Sequence, residues 1–211
     1  MDVDIGEINE VDVTLAYNFL TPGEILKEGG DFFEGYNRNS PKRMIAPDYT
    51  FSKISNILKP DNLLSQFIDV MVFDCLIFNQ DRHQDNWGIC EKGDTKRFAP
   101  AYDNSTSLAW NLNDSKIEKI QSDYRSLEAF IERSKSLIGR DKEKHCSHFE
   151  LIRYIYEKEP LLTSQSILKI KNLTKEDMQN IITPDDLLSE TKRRFLADIL
   201  VWRKEKLLSI L

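Results

Sequence analysis

The apolar and polar positions of the chain fall into punctuated stretches separated by runs of helical periodicity. Val11-Asp12-Val13-Thr14-Leu15 alternates with period two and predicts a strand. Thr21-Pro22-Gly23-Glu24 breaks it. Residues 24–47, interrupted by Gly29-Gly30, Gly35, Pro41 and Pro47, read as loop with one helical turn at 24–27. A short helix is expected over 50–58, with Phe51, Ile54, Ile57 and Leu58 on one side and Pro60 ending it. The strongest periodicity follows. With Asp61 as its cap, 62–78 carries Leu63, Leu64, Phe67, Ile68, Met71, Val72, Cys75 and Leu76 at spacings of three and four, the broad stripe of a long buried helix. Residues 111–126 are too polar to assign. Helices are expected over 127–138, 149–156 and 164–170, with Pro160 lying beyond the end of the second. Thr174-Lys175-Glu176-Asp177, a capping box with Asp in the usual Glu position, opens a helix to about 182. Thr183-Pro184-Asp185-Asp186 is a turn, and a last helix runs from Ser189 almost to Leu211.

Two short apolar runs, Trp87-Gly88-Ile89-Cys90 and Phe98-Ala99-Pro100-Ala101-Tyr102, flank a polar, glycine-containing stretch over 91–97. That pattern predicts a β-hairpin, which returns the chain and brings Asn86 close to Asp103. Just before it stands Asp81-Arg82-His83-Gln84-Asp85-Asn86. Phosphoryl transfer to a hydroxyl needs a carboxylate to hold the attacking group, plus an Asn and an Asp to hold magnesium on the phosphates. Asp81, Asn86 and Asp103 supply that set in kinase-like spacing. Asp81 is the candidate catalytic residue, and Asn86 and Asp103 the candidate metal and nucleotide ligands. Each also has an ordinary role, as a helix-end Asp, a turn residue at a strand start and a strand-end cap. His83 is a supporting residue of the loop. Arg82 and Asp85 read either as a solvated pair or as substrate contacts, and Asp69 and Asp74 either as exposed charges or as anchors of the loop. His145-Cys146-Ser147-His148 falls short of a four-ligand metal set.

Composition narrows the field. With 211 residues and 40% hydrophobic content, the chain suits one domain over 1–211. A formal net charge of −6 argues against a nucleic-acid or anionic-membrane surface. Apolar runs are shorter than the roughly 20 residues a membrane helix requires. The acidic start MDVDIGEINEVDV lacks a signal-peptide pattern. Cys75, Cys90 and Cys146 are odd in number and unpaired in spacing, so a reducing, cytoplasmic setting is expected.

Asn79-Gln80-Asp81-Arg82-His83-Gln84-Asp85-Asn86-Trp87-Gly88, followed by Pro100-Ala101-Tyr102-Asp103-Asn104, resembles the C-terminal domain of HipA-like serine/threonine kinases. Weaker similarity reaches Tyr17-Asn18-Phe19-Leu20 and Ser147-His148-Phe149-Glu150-Leu151-Ile152. The resemblance implies a mainly helical α+β fold of the kinase C-lobe type, with a short hairpin carrying the metal site. It also implies ATP and Mg2+ as cofactors, Asp81 as the catalytic Asp, and Asn86 and Asp103 as magnesium ligands. The group includes toxins of bacterial toxin–antitoxin pairs and secreted effector kinases. The implied partners are therefore a protein substrate and a separate small-lobe or antitoxin polypeptide, with neither nucleic acid nor membrane expected. The D-R-H-x-x-N string is also similar to the catalytic loop of phosphoinositide 3/4-kinases, which leaves a lipid kinase and a catalytically inactive, pseudokinase-like binding module as alternatives. Two features depart from the family. Asp103-Asn104-Ser105 stands where Asp-Asn-Gly is common, and the glycines at 29, 30 and 35 form no G-x-G-x-x-G. Lys27, Lys42, Lys53 and Lys59 are expected in loop or helix rather than on a strand, so the small lobe is read as largely missing.

Overall fold

The computed structural model describes residues 18–39, 45, 46, 48–141, 146–182 and 188–211. The strand read at Val11–Leu15 and the turn at Thr183–Asp186 lie outside them. The first described element is strand β1 (Ile25–Glu28), followed by a 3-10 turn, Gly29–Phe32. This replaces the helical turn expected at 24–27 and puts Lys27 on a strand, where it pairs with Glu91 at 2.6 Å. The reason is non-local. The partner of β1 is β2 (Gly88–Lys92), about sixty residues on, in antiparallel register with Leu26 opposite Cys90. β2 also pairs with β3 (Thr95–Phe98), giving the sheet order β1-β2-β3. The hairpin forms, but its ladder runs through the polar residues expected in the turn. Only Gly93 and Asp94 close it, with Gly93 at φ 57 supplying the backbone a two-residue hairpin turn needs.

Eight helices, a 3-10 turn and a short two-stranded ladder make up the other regular elements of the described residues. Helix α1 (Phe51–Leu58) starts at Thr50, whose hydroxyl accepts from the Lys53 amide, and buries Phe51, Ile54 and Leu58. Pro60 then sits in a 3-10 turn, and Asn62 turns the chain at φ 57. Helix α2 (Leu64–Ile77) therefore begins two residues later than expected, and Asp61 does not cap it but pairs with Lys96 at 2.8 Å. Ten of the fourteen positions of α2 are buried, with Phe67, Ile68 and Cys75 fully so. It is the central post of the domain, packing on α5 (His148–Lys158), α6 (Pro160–Lys169) and α8 (Glu190–Leu208). Each large apolar side chain it takes out of water contributes about 1.5–3 kcal/mol before the entropy of ordering is counted.

The polar stretch that resisted assignment contains two helices, each started by a side-chain cap: α3 (Asp114–Gln121) by Asn113 and α4 (Tyr124–Glu132) by Asp123. The helix expected over 127–138 thus ends at Glu132. The chain continues instead into a two-residue strand β4 (Lys135–Ser136), paired with β5 (Cys146–Ser147). Helix α6 begins at Pro160 itself, a residue well suited to a first helical turn because its missing N–H has no role there. Thr174 and Asp177 exchange the reciprocal bonds of a capping box ahead of α7 (Lys175–Ile182). Among the described residues no helix is long and apolar enough to cross a membrane.

Candidate active site

Helix α2 stops on Phe78, which takes the left-handed conformation at φ 47. That backbone costs a bulky residue free energy, and it is held by packing: the buried ring meets Phe130 edge-on at 5.9 Å and carries the Arg203 guanidinium 5.4 Å from its centre. Asn79 then fixes the loop start. Its side-chain Nδ2 donates to Asp74 Oδ1 at 3.1 Å, and its side-chain Oδ1 accepts from the Asp81 amide at 3.2 Å and the Thr106 hydroxyl at 2.9 Å.

Arg82 organises everything that follows. Its guanidinium is 2% exposed and bonds Asp74 through Nε at 2.8 Å and Nη2 at 2.7 Å, a two-pronged ion pair back to α2. The same group donates to the carbonyls of Asn86 (2.7 Å) and Tyr102 (2.6 Å) from Nη1, and to Asn104 Oδ1 (2.5 Å) from Nη2. One nitrogen thus gathers the backbone at Asn86 and the backbone just before Asp103. Burial pushes the Asp74 carboxyl upward while the Arg82 bonds pull against it. We assign the pair as ionic, because a fully bonded guanidinium gives up no proton in this setting. Arg82 is therefore neither a solvated partner of Asp85 nor a substrate contact. Asp85 accepts from the Tyr36 hydroxyl instead and faces Arg38 at 3.8 Å.

The Asp81 backbone carbonyl accepts from the His83 amide and from Asn86 Nδ2, both at 2.8 Å. His83 Nδ1 accepts from the Asp85 amide at 3.2 Å, which keeps this buried residue within the loop turn. With its nitrogen committed to Asp81, the Asn86 side chain leaves its oxygen as a neutral hard donor. Asp103 is exposed, sits at φ 50 and accepts from the Ser105 hydroxyl through Oδ1 at 2.9 Å. Arg82 joins the backbone at Asn86 and at Tyr102, and an amide oxygen and an exposed carboxylate are the donor types magnesium takes when water and substrate phosphates complete its shell. Among the described residues no group of three or more His, Cys, Asp or Glu could hold a metal, and magnesium on a nucleotide needs none.

Two supports were not legible in the sequence. Gly29 and Gly30 donate to the carbonyls of Trp87 (2.8 Å) and Gln84 (2.9 Å). A Cβ on Gly29 would lie 2.2 Å from the Trp87 ring, and one on Gly30 would lie 2.4 Å from Asp85 Oδ1. Glycine is needed there for close approach. Tyr49 adds a bond to the Arg82 carbonyl at 3.0 Å and receives one from Trp87 Nε1 at 3.0 Å. From the opposite side, buried His148 places Nε2 2.8 Å from the Asn79 carbonyl and Nδ1 2.9 Å from Ser134 Oγ. Arg203 donates to that hydroxyl at 2.9 Å, so the Ser134 O–H donates its hydrogen bond to Nδ1 and Nε2–H donates to the Asn79 backbone carbonyl. Both ring nitrogens are thus engaged, Nε2 with the loop at Asn79 and Nδ1 with Ser134. A clue was available: Asp74 lies on the buried stripe of α2, and a carboxylate there demands a cation.

The fold and the sequence have known relatives. The chain is 26% identical over 159 residues to the serine/threonine-protein kinase CtkA of Helicobacter pylori, covering 74% of this chain and 48% of that protein. It thus spans about half the length of this curated relative. The crystal structure of the Helicobacter pylori proinflammatory kinase CtkA superposes with a TM-score of 0.74 at 21% identity, covering 92% of this chain and 72% of the other. That likeness establishes a shared fold. The family model for the HipA-like C-terminal domain matches residues 42–178, more than half of the sequence, and the chain belongs to that family.

Proposed function

We propose that the chain is the large lobe of an ATP- and magnesium-dependent serine/threonine protein kinase. The observation that carries this reading is the Arg82 junction, which draws Asn86 and the Asp103 segment together around the loop that bears Asp81. The relative named a serine/threonine-protein kinase supports the same reaction class.

In this reading Asp81 accepts a hydrogen bond from the acceptor hydroxyl and orients it toward the γ-phosphorus. Asn86 and Asp103 would hold Mg2+, which when bound neutralises charge on the β- and γ-phosphates. The Asp74–Arg82 pair and the Asn79 bonds keep Asp81 and Asn86 in a fixed relation, so little ordering remains to be done when substrate arrives. His83 positions the loop and takes no proton in this scheme.

The test is calorimetric titration of the full chain with ATP, with magnesium present and with EDTA. Magnesium-dependent binding that disappears on Asp103→Asn is the expected result. Binding that is indifferent to both would remove the nucleotide from this site.

A further inference from the structure

A cavity of about 480 Å³ opens between the end of α4, the β4–β5 ladder, the start of α5 and α8. Four cations line it, Arg133, Lys135, Arg153 and Lys206, against two carboxylates, Glu132 and Glu150. Both carboxylates have occupations of their own. Glu132 pairs with Lys206, and Glu150 closes the capping box on the Ser147 amide at 2.7 Å. Arg133, Lys135 and Arg153 are exposed and form no ion pair with any described residue. Arg153 still feels the Glu150 charge, so on a chain of net charge −6 this is a local excess of positive charge, four cations against two carboxylates. Its position matters. The Lys135 amide donates to Gln80 Oε1 at 3.2 Å, and Gln80 is the residue before Asp81. Next to Lys135 in the chain is Ser134, which bonds His148, and His148 in turn bonds the same loop at Asn79.

We propose that this cavity binds an anionic side chain of the protein substrate, a carboxylate or a phosphorylated residue lying a few positions from the acceptor hydroxyl. The inference rests on the kinase reading above and adds to it a substrate class. Guanidinium groups bind carboxylates and phosphates through paired, planar hydrogen bonds, and two of the three unpaired cations are arginines. An extended peptide advances about 3.3–3.6 Å per residue, so residues two to five places from the acceptor reach roughly 7–18 Å from it, and the Lys135–Gln80 bond sets the cavity wall beside the Asp81 loop. A peptide fits better than a nucleic acid. The basic patch is a concave pocket with carboxylates on its wall, not the broad face that a phosphate backbone requires.

The experiment uses the full chain and pools of fluorescent peptides, each with a central Ser in a random background. Each pool fixes Asp, Glu, phosphoserine or Ala at one position within about five residues of that Ser. Anisotropy should show at least tenfold tighter binding of the acidic pools at one or two positions. The triple variant R133E/K135E/R153E should erase that preference while Mg-ATP titration of the same protein stays as in the parent. The single variant R153Q, a mild change on the exposed face of α5, should weaken it several-fold. Preference for phosphoserine over Glu would assign the natural group as phosphate, and equal preference as carboxylate. Acidic pools that bind no better than Ala, or a preference that survives charge reversal, would overturn the proposal. So would equally tight binding of a single-stranded oligonucleotide. Loss of Mg-ATP binding by the parent would instead strike the kinase reading, and the two failures are read from separate titrations.

Discussion

Asp74 and Arg82, eight residues apart, form a buried ion pair in which each side chain is 2% exposed and the two contacts measure 2.7 and 2.8 Å. Between them the chain leaves α2, passes Phe78 in its left-handed turn and presents Asp81. The pair thus ties the loop that bears Asp81 to the buried central helix of the domain.

Asp74→Ala should destabilise the protein by about 3–5 kcal/mol, since it leaves a guanidinium buried without its counter-charge. Urea unfolding measures the loss. Mg-ATP affinity should fall as well, because Arg82 is also what joins Asn86 to Tyr102. A change under 1 kcal/mol would mean that Arg82 is satisfied without Asp74.

Buried His148 gives stability a pH dependence. Burial, with the Arg203 charge nearby, holds its imidazole down to about 3, against about 6.5 in an unfolded chain. Between those values the unfolded state binds the proton and the folded state does not. The contribution is therefore complete above about pH 6.5 and is lost as pH falls toward 3, by at most about 1.4 kcal/mol per pH unit. His148→Gln keeps a donor for the Asn79 carbonyl and removes the titration. Its unfolding free energy should change less than the parent's between pH 6.5 and 4.5. Parallel curves would show that His148 is protonated in the fold.

Gly29→Ala places a methyl 2.2 Å from the Trp87 ring and should cost about 1–3 kcal/mol by overpacking. Faster amide exchange at Gly29 and Gly30 is the companion signal, because those N–H groups bond the loop carbonyls. Unchanged exchange with unchanged stability would show that Trp87 moves aside freely.

What the sequence disclosed follows the range of each interaction. The stripe of α2, the Thr174–Asp177 box and the hairpin are set by residues close in sequence, and they appear much as their patterns predict. β1 does not, because Ile-Leu-Lys-Glu alternates only in half-exposed positions and its ladder partner lies far downstream. The caps of α3 and α4, Asn113 and Asp123, were present but carried too little apolar periodicity around them to be read. Asp81, Asn86 and Asp103 were visible as a spacing, whereas Arg82 was visible only as a charge. Its role depends on burial, which a single sequence does not display. His148 stood in a string that invited a metal, and the structure engages its nitrogens with Ser134 and Asn79 instead.

The two candidate carboxylates should separate in function. Asp81→Asn is expected to leave Mg-ATP affinity near the parent's and to lower phosphate transfer by orders of magnitude, since its proposed role is on the acceptor side. Asp103→Asn should lower nucleotide affinity in magnesium and little else, because an exposed side chain leaves no cavity behind. Calorimetry and labelled-phosphate incorporation on both variants decide the assignment. An Asp81→Asn protein that retains most of the rate would refute the role given to that residue.

The last prediction concerns what stands over the phosphates. The sequence has no G-x-G-x-x-G, and the one strand lysine ahead of Asp81 among the described residues, Lys27, is engaged with Glu91. Asn86 and Asp103 would then hold the nucleotide from one side, with no second clamp among the described residues to exclude water or align the γ-phosphate with the hydroxyl. The 211-residue chain alone should therefore show weak or undetectable transfer, and a small-lobe polypeptide supplied in cis or in trans should restore it. The receiving surface is expected beside the edge strand β1, where Ile25 is 67% exposed and Phe19 stacks on Tyr102 at 5.7 Å. Ile25→Asp should weaken that restoration while leaving Mg-ATP binding by the lone chain unchanged. Purified chain with labelled ATP and magnesium, with and without the added lobe, is the measurement. Robust autophosphorylation by the lone chain would place a working phosphate clamp within these 211 residues and end the split-lobe reading.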